Sequence, residues 1–150
     1  YYEEVGKIVK QARELGITAS FVGGDGWDSP KLAEIGGGAA LNNTYFTNHY
    51  SVEDKSPKSR AFVEAYQKEY GQLPDAMAVL GYDAAYALVD AIKRAGSAEP
   101  QKIREALAAT KNFPAVTGDL TLNEKHDAVK SAVIIEMKDG KQVYRETIKP

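Results

Sequence analysis

Ser20-Phe21-Val22-Gly23-Gly24-Asp25-Gly26-Trp27 is the stretch on which the fold turns. A short apolar, β-prone run ends in a glycine-flanked carboxylate and a tryptophan. Ser29-Pro30 then supplies a helix start, with serine as the cap and proline at the first helical position. Strand, glycine-rich turn and helix in immediate succession are the grammar of an α/β layer. Upstream, Val5, Ile8, Val9, Ala12 and Leu15 fall on one helical face, and Gly16 is placed to end that helix. Downstream, the brief helix after Pro30 stops near Gly36-Gly37-Gly38, and Asn43-Thr44-Tyr45-Phe46-Thr47 reads as a second strand.

The remainder keeps the alternation. Asn48 to Lys55 is a polar connection into Ser56-Pro57, which opens a helix carrying Phe62, Val63, Tyr66 and Tyr70 and closing at Gly71. From Ala76 to about Ala95 the chain is apolar on nearly all sides, with Leu80, Ala84, Leu88 and Ile92 as its spine, which predicts a helix buried between neighbours. Pro100 opens an amphipathic helix with Ile103 and Leu107, and a loop punctuated by Gly and Pro follows from about Asn112 to Lys125. Val133 to Met137 and Val143 to Ile148 flank Asp139-Gly140, a pair suited to the positive φ angles of a type I′ hairpin turn.

Bulk properties narrow the function. The 150 residues carry a formal charge of -2 with both signs mixed throughout, which gives no electrostatic reason for a nucleic-acid or anionic-membrane partner. No apolar run approaches the ~20 residues that span a bilayer, so no membrane insertion is expected. Tyr1-Tyr2-Glu3-Glu4 has neither an initiator Met nor the basic start of a signal peptide, as expected of a sequence that begins inside a larger protein. The chain lacks cysteine, which removes disulfides, thiolate metal sites and Cys nucleophiles together.

Candidate chemistry concentrates at the opening stretch. Ligands of open α/β sheets gather at the C-terminal ends of strands. There Gly24 and Gly26 would allow close approach to the backbone, the Asp25 carboxylate would accept hydrogen bonds from an ammonium group, and Trp27 would wall a cleft. An ordinary turn, with Asp25 solvated and Trp27 packed under the loop, is the competing reading. Tyr1 and Tyr2 would stand at the mouth of the same cleft if a strand preceded them, or else form a frayed end. His49 and His126 have no second histidine at a metal-binding spacing and read as surface or hinge residues. Glu3, Glu4, Glu64 and Glu69 fall on helix surfaces. Phosphate-binding G-x-G-x-x-G and Walker patterns and the G-x-S-x-G elbow are absent, so neither enzyme nor cofactor is expected.

The order of Tyr1-Tyr2-Glu3-Glu4-Val5-Gly6, Gly23-Gly24-Asp25-Gly26-Trp27, Tyr45-Phe46-Thr47 with Tyr50-Ser51, Ala78-Val79-Leu80-Gly81-Tyr82-Asp83-Ala84 and Gly118-Asp119-Leu120-Thr121-Leu122 resembles the C-terminal portion of type I periplasmic binding proteins of the leucine/isoleucine/valine-binding family. The resemblance covers the whole chain. It implies an α/β fold of two flavodoxin-like lobes with hinge crossovers, only part of it present here. Residues 1-47 would belong to the second lobe, 48-117 to the first, and 118-150 would form a crossover and a return to the second lobe with a terminal hairpin.

The function so implied is extracytoplasmic capture of a small aliphatic, branched-chain type of amino acid between the lobes, for delivery to an ABC transporter permease. The implied location is the periplasm, or the cell surface as a lipoprotein. Asp25 would accept the ligand's ammonium group, Tyr1 or Tyr2 would line the cleft, and Gly26 and Trp27 would form the adjoining wall. The carboxylate end of the ligand would be held mostly by the N-terminal portion that this sequence does not contain. Many branched-chain binders of the family have Glu where this chain has Asp25, which keeps the amino-acid reading and leaves the choice of ligand open. Alternatives are a sensory domain of the same fold for amides, urea or aromatic acids, and an isolated half-protein that binds nothing.

Overall fold

A computed structural model describes all 150 residues. The chain divides into two compact units, one of Tyr1–Glu53 with Ala132–Ile148, the other of Asp54–Ser131 with Lys149–Pro150.

In the first unit, helix α1 (Tyr2–Glu14) begins with Glu3 and Glu4 in its first turn, where carboxylates oppose the positive end of the helix dipole. Its buried positions are Gly6, Val9 and Ala12, whereas Ile8 and Leu15 at the margins of the expected face are exposed. Gly16 ends it at a φ of 81°, in the left-handed region that glycine adopts freely. Arg13 then fixes the following chain: its guanidinium donates to the carbonyls of Ile17, Ala19, Ala40 and Asn42 and lies 4.8 Å from the centre of the Phe21 ring. One side chain thus ties α1 to the approaches of both parallel strands.

Strand β1 (Phe21–Gly23) runs into a 3-10 turn at Asp25–Trp27, and helix α2 (Pro30–Gly36) starts as expected, with the Ser29 hydroxyl accepting from the Lys31 amide at 3.2 Å. Strand β2 (Thr44–Asn48) pairs in parallel with β1. The sheet is completed by the C-terminal hairpin, β6 (Ala132–Lys138) and β7 (Lys141–Ile148), in the order β1-β2-β6-β7. Asp139 and Gly140 take φ of 50° and 77°, the positive pair that an Asp-Gly turn favours. Val9, Leu32, Leu41, Phe46, Val133, Ile135 and Met137 form the core between the helices and one sheet face.

The second unit contains α3 (Pro57–Tyr70), α4 (Ala76–Ala95) and α5 (Pro100–Ala108). Their ends follow local chemistry. Ser56 and Asp75 accept from the amides of Ser59 and Ala78, and Gly71 and Gly96 stop α3 and α4 in left-handed conformations. The expected loop from Asn112 to Lys125 instead contains β3 (Phe113–Ala115) and β4 (Gly118–Leu122), which with β5 (Ala128–Val129) form a small antiparallel sheet. Residues 118–131, expected as a crossover, are thereby joined to the second unit by pairing of β4 with β3 and β5. The strands are too short for a periodic pattern, and what fixes them is remote in sequence. The buried Asp83 carboxylate on α4 accepts from the Val116 amide at 2.7 Å, the Thr117 amide at 3.0 Å and the Thr117 hydroxyl at 2.8 Å.

The burial expected of α4 is corrected by the structure. Its buried stripe is Ala76, Val79, Asp83, Ala87 and Ala91, while the anticipated spine residue Leu88 is 44% exposed and Ile92 is 37% exposed. Within this unit the helix packs on α5 and β3, and Phe62 of α3 meets Tyr82, which leaves part of its apolar surface exposed. A charge at position 88 would here meet solvent and not a packed wall.

Candidate functional site

The parallel pairing of β1 with β2 sets Phe21, Val22 and Gly23 beside Thr44, Tyr45 and Phe46. Chains leaving two parallel neighbours leave at the same sheet edge, so Asp25 and His49, 24 residues apart in sequence, emerge together. His49 Nε2 lies 2.8 Å from Asp25 Oδ2, and the His49 backbone is fixed by its amide donating to the Asn48 side chain at 2.8 Å. The hydrogen bond from His49, reinforced by its charge when protonated, holds the Asp25 carboxyl below the usual carboxylate range against a smaller opposing effect of burial. Asp25 is therefore an anion at neutral pH, and Nε2 is the protonated, donating nitrogen. His49, expected to be a surface or hinge histidine, is in addition the partner of the principal candidate residue. Only the parallel register brings the two together.

Gly23 is required by space. A Cβ at this position would lie 2.1 Å from the Trp27 ring, which rests on the bare backbone here. The indole also packs on the core of the first unit, with its centre 6.1 Å from that of Phe46. Gly26 has a similar duty toward Tyr1, whose ring would stand 2.9 Å from an added Cβ. Tyr1, Gly24, Asp25, Gly26 and Trp27 together line a depression of about 230 Å³. Tyr2 does not: it is half-buried and packs against the core beneath α1. Of the two tyrosines, the structure thus brings Tyr1 to the candidate site.

The Trp27 arrangement can be tested without a ligand, because this is the only tryptophan. Gly23→Ala should displace the indole, shift its emission to longer wavelength and destabilise the chain by about 1–3 kcal/mol, the usual range for a side chain forced into filled space. An unchanged emission spectrum and urea midpoint would mean that the ring does not depend on the bare backbone at Gly23.

Chemically, the site offers one anion, one imidazole, an aromatic wall and exposed glycine backbone. The arrangement is suited to holding a cation against an apolar surface.

Comparison with known proteins identifies the family. The family model described as periplasmic binding protein matches residues 3–142. The leucine-, isoleucine-, valine-, threonine- and alanine-binding protein of Pseudomonas aeruginosa is 33% identical over 128 residues, 85% of this chain and 33% of that protein. A solved leucine-binding protein from Thermotoga maritima superimposes with a TM-score of 0.92 at 43% identity, covering 100% of this chain and 43% of that one. A branched-chain amino acid transporter substrate-binding protein from Streptococcus pneumoniae, solved with isoleucine, gives a TM-score of 0.90 at 36% identity over 100% of this chain and 43% of its own. The chain spans about a third of the length of the curated relatives it matches. With a family model matched over most of its length, it belongs to the periplasmic binding protein family, as a partial type I fold of the branched-chain amino acid group.

Proposed function

We propose that this sequence supplies the ammonium-binding side of a two-lobed extracytoplasmic receptor that takes up a small aliphatic amino acid, of the branched-chain type, for an ABC transporter permease. The observation that carries this reading is the ionised Asp25 carboxylate, its side chain half exposed, at a strand edge walled by Trp27 and Tyr1. An α-ammonium group buried in a cleft needs such a counter-charge, because an unpaired buried charge costs several kcal/mol. The ligand's aliphatic side chain would lie against the aromatic wall.

On this reading the first unit belongs to one lobe and the second unit to the other, and the chain acts together with an N-terminal portion that contributes most of the carboxylate site. The apolar exposed face of α4, with Met77, Tyr86, Leu88 and Val89, supports that arrangement: a receptor of the relatives' length has further chain with which to cover it. A ligand that touches both lobes favours their closed state, and the closed state is what an importer would recognise. The periplasm or the outer cell surface is the corresponding location.

Asp25→Ala in the two-lobed protein should weaken binding of leucine, isoleucine or valine by at least ~2 kcal/mol, since a charge-assisted hydrogen bond is lost in a desolvated cleft. Asp25→Asn, which keeps the shape and removes the charge, should also bind weakly. Calorimetry with leucine, isoleucine, valine, alanine and threonine measures both. Unchanged affinity in both variants would make Asp25 a turn residue only. The 150-residue chain alone should have no comparable affinity, and tight binding by it would overturn the division of the site.

A further inference from the structure

We propose that His49 is the positioning residue of the ammonium site, holding the Asp25 carboxylate in place through Oδ2 while leaving Oδ1 for the ligand, and that its own protonation makes amino-acid affinity fall as the pH is lowered. This inference rests on the proposed amino-acid site and adds to it a residue and a pH dependence.

The geometry has two parts. Asp25 sits in a three-residue turn between glycines, with its side chain half exposed, and little packing restrains its rotamer. The 2.8 Å contact from His49 Nε2 is its largest polar restraint, with smaller ones from the amides of Asp25 and Gly26, and His49 is in turn set on the end of β2 by the buried Asn48 side chain. A carboxylate has two oxygens and can accept at both. Engagement of Oδ2 by the imidazole fixes the direction of Oδ1, and an ordered acceptor binds an ammonium with less entropy to lose than a rotating one.

The second part is charge. With neutral His49 the pair carries a net charge of about -1, and an incoming ammonium is attracted; with the imidazolium the pair is neutral overall, and the ammonium meets a cation at close range. Charged groups stand on the neighbouring elements as well, and several of them have partners of their own. On α1, Glu3 and Glu4 stand in the first turn, with Lys7 and Lys10 further along the same helix. Beyond the turn, Asp28 accepts from the Gln142 side chain at 2.7 Å. On β6, next to β2, Glu136 pairs with Arg145. After β2, Glu53 accepts from the Tyr144 amide at 2.8 Å. His49 is the titratable partner of Asp25, and histidine changes charge between about pH 5 and pH 8, a range in which a free aliphatic amino acid stays zwitterionic.

The test is calorimetric titration of the two-lobed protein with leucine from about pH 8 to about pH 5, the span over which histidine gains its charge. The parent should lose about tenfold in affinity on acidification, the scale of one added unit charge at partly screened short range. His49→Gln, whose amide can still donate to Asp25 and does not titrate, should bind within about twofold of the parent at the upper pH and keep that affinity at the lower one. His49→Ala should bind several-fold more weakly than the parent at the upper pH, with the slope likewise gone, so that the two converge at the lower pH. His126→Asn, at a positive-φ turn position of the second unit that asparagine tolerates, should retain the parental slope. A parent that binds leucine with no pH slope, or a His49→Gln protein that keeps the parental slope, overturns the inference while leaving the amino-acid site standing. A parent that binds no aliphatic amino acid at any pH overturns the proposed function and this inference together.

Discussion

Asp83→Ala should cost the second unit more than ~3 kcal/mol, because it strips a buried carboxylate from two main-chain amides and one hydroxyl that have no solvent to replace it. The amides of Val116 and Thr117 lie at the turn between β3 and β4, and both residues are buried. Their loss of a partner falls on the hydrogen bonds that tie the end of a three-residue strand to α4. A second effect adds to the first. The Lys130 ammonium is pushed toward its neutral form by burial, and the Asp83 charge is what opposes that push. Removing Asp83 leaves Lys130 with the burial cost alone. Asp83→Asn keeps one carbonyl acceptor and should lose less than the alanine variant. Amide hydrogen exchange reads the effect at its source: Val116 and Thr117 should lose protection before α3 or α5 does. Full protection of both amides in Asp83→Ala would show that the turn is held by its own hairpin geometry.

That interaction also marks the boundary of what was legible in the sequence. Features set by neighbours in the chain could be read directly: Ser29-Pro30 and Ser56-Pro57 as helix starts, Gly16 and Gly71 as stops, Asp139-Gly140 as a hairpin turn. Each is decided by the φ preference or hydrogen-bonding reach of one or two side chains. β3, β4 and β5 could not be read, since a partner 33 residues away fixes their turn. The burial of α4 was misread for a related reason: composition reports what a helix can bury, whereas burial itself depends on how much chain is present to cover it.

At the candidate site, the glycine-carboxylate-tryptophan turn was visible as a pattern of residue types, and the fit of Trp27 on Gly23 explains in retrospect why glycine stands there. The contribution of His49 was hidden, because it follows from the parallel register of two strands and no local signal encodes register. The choice between Tyr1 and Tyr2 was hidden for a smaller reason. Adjacent helical positions point about 100° apart, and the phase of the first turn is set by packing of Tyr2 on the core.

Phe46→Ala should be the most damaging apolar truncation in the first unit, with a loss of about 3–5 kcal/mol from a buried phenylalanine. Phe46 is 1% exposed, stands opposite Gly23 on one side and Ile135 on the other, and lies in the centre of the core. Its ring is also the floor beneath Trp27. The cavity left by truncation would open below the indole, so the same change should loosen the aromatic wall of the proposed cleft and weaken amino-acid binding beyond what lost stability explains. Phe46→Leu separates the two effects: it fills most of the volume, and should recover most of the stability while still lacking the aromatic contact. Val22→Ala, on the opposite face of β1 and 76% exposed, should stay within about 0.5 kcal/mol of the parent. Urea unfolding followed by the emission of Trp27 measures all three variants with one probe. A Phe46→Ala protein as stable as Val22→Ala would remove Phe46 from the core, and an indole spectrum unchanged in both Phe46 variants would disconnect the wall of the site from the packing beneath it.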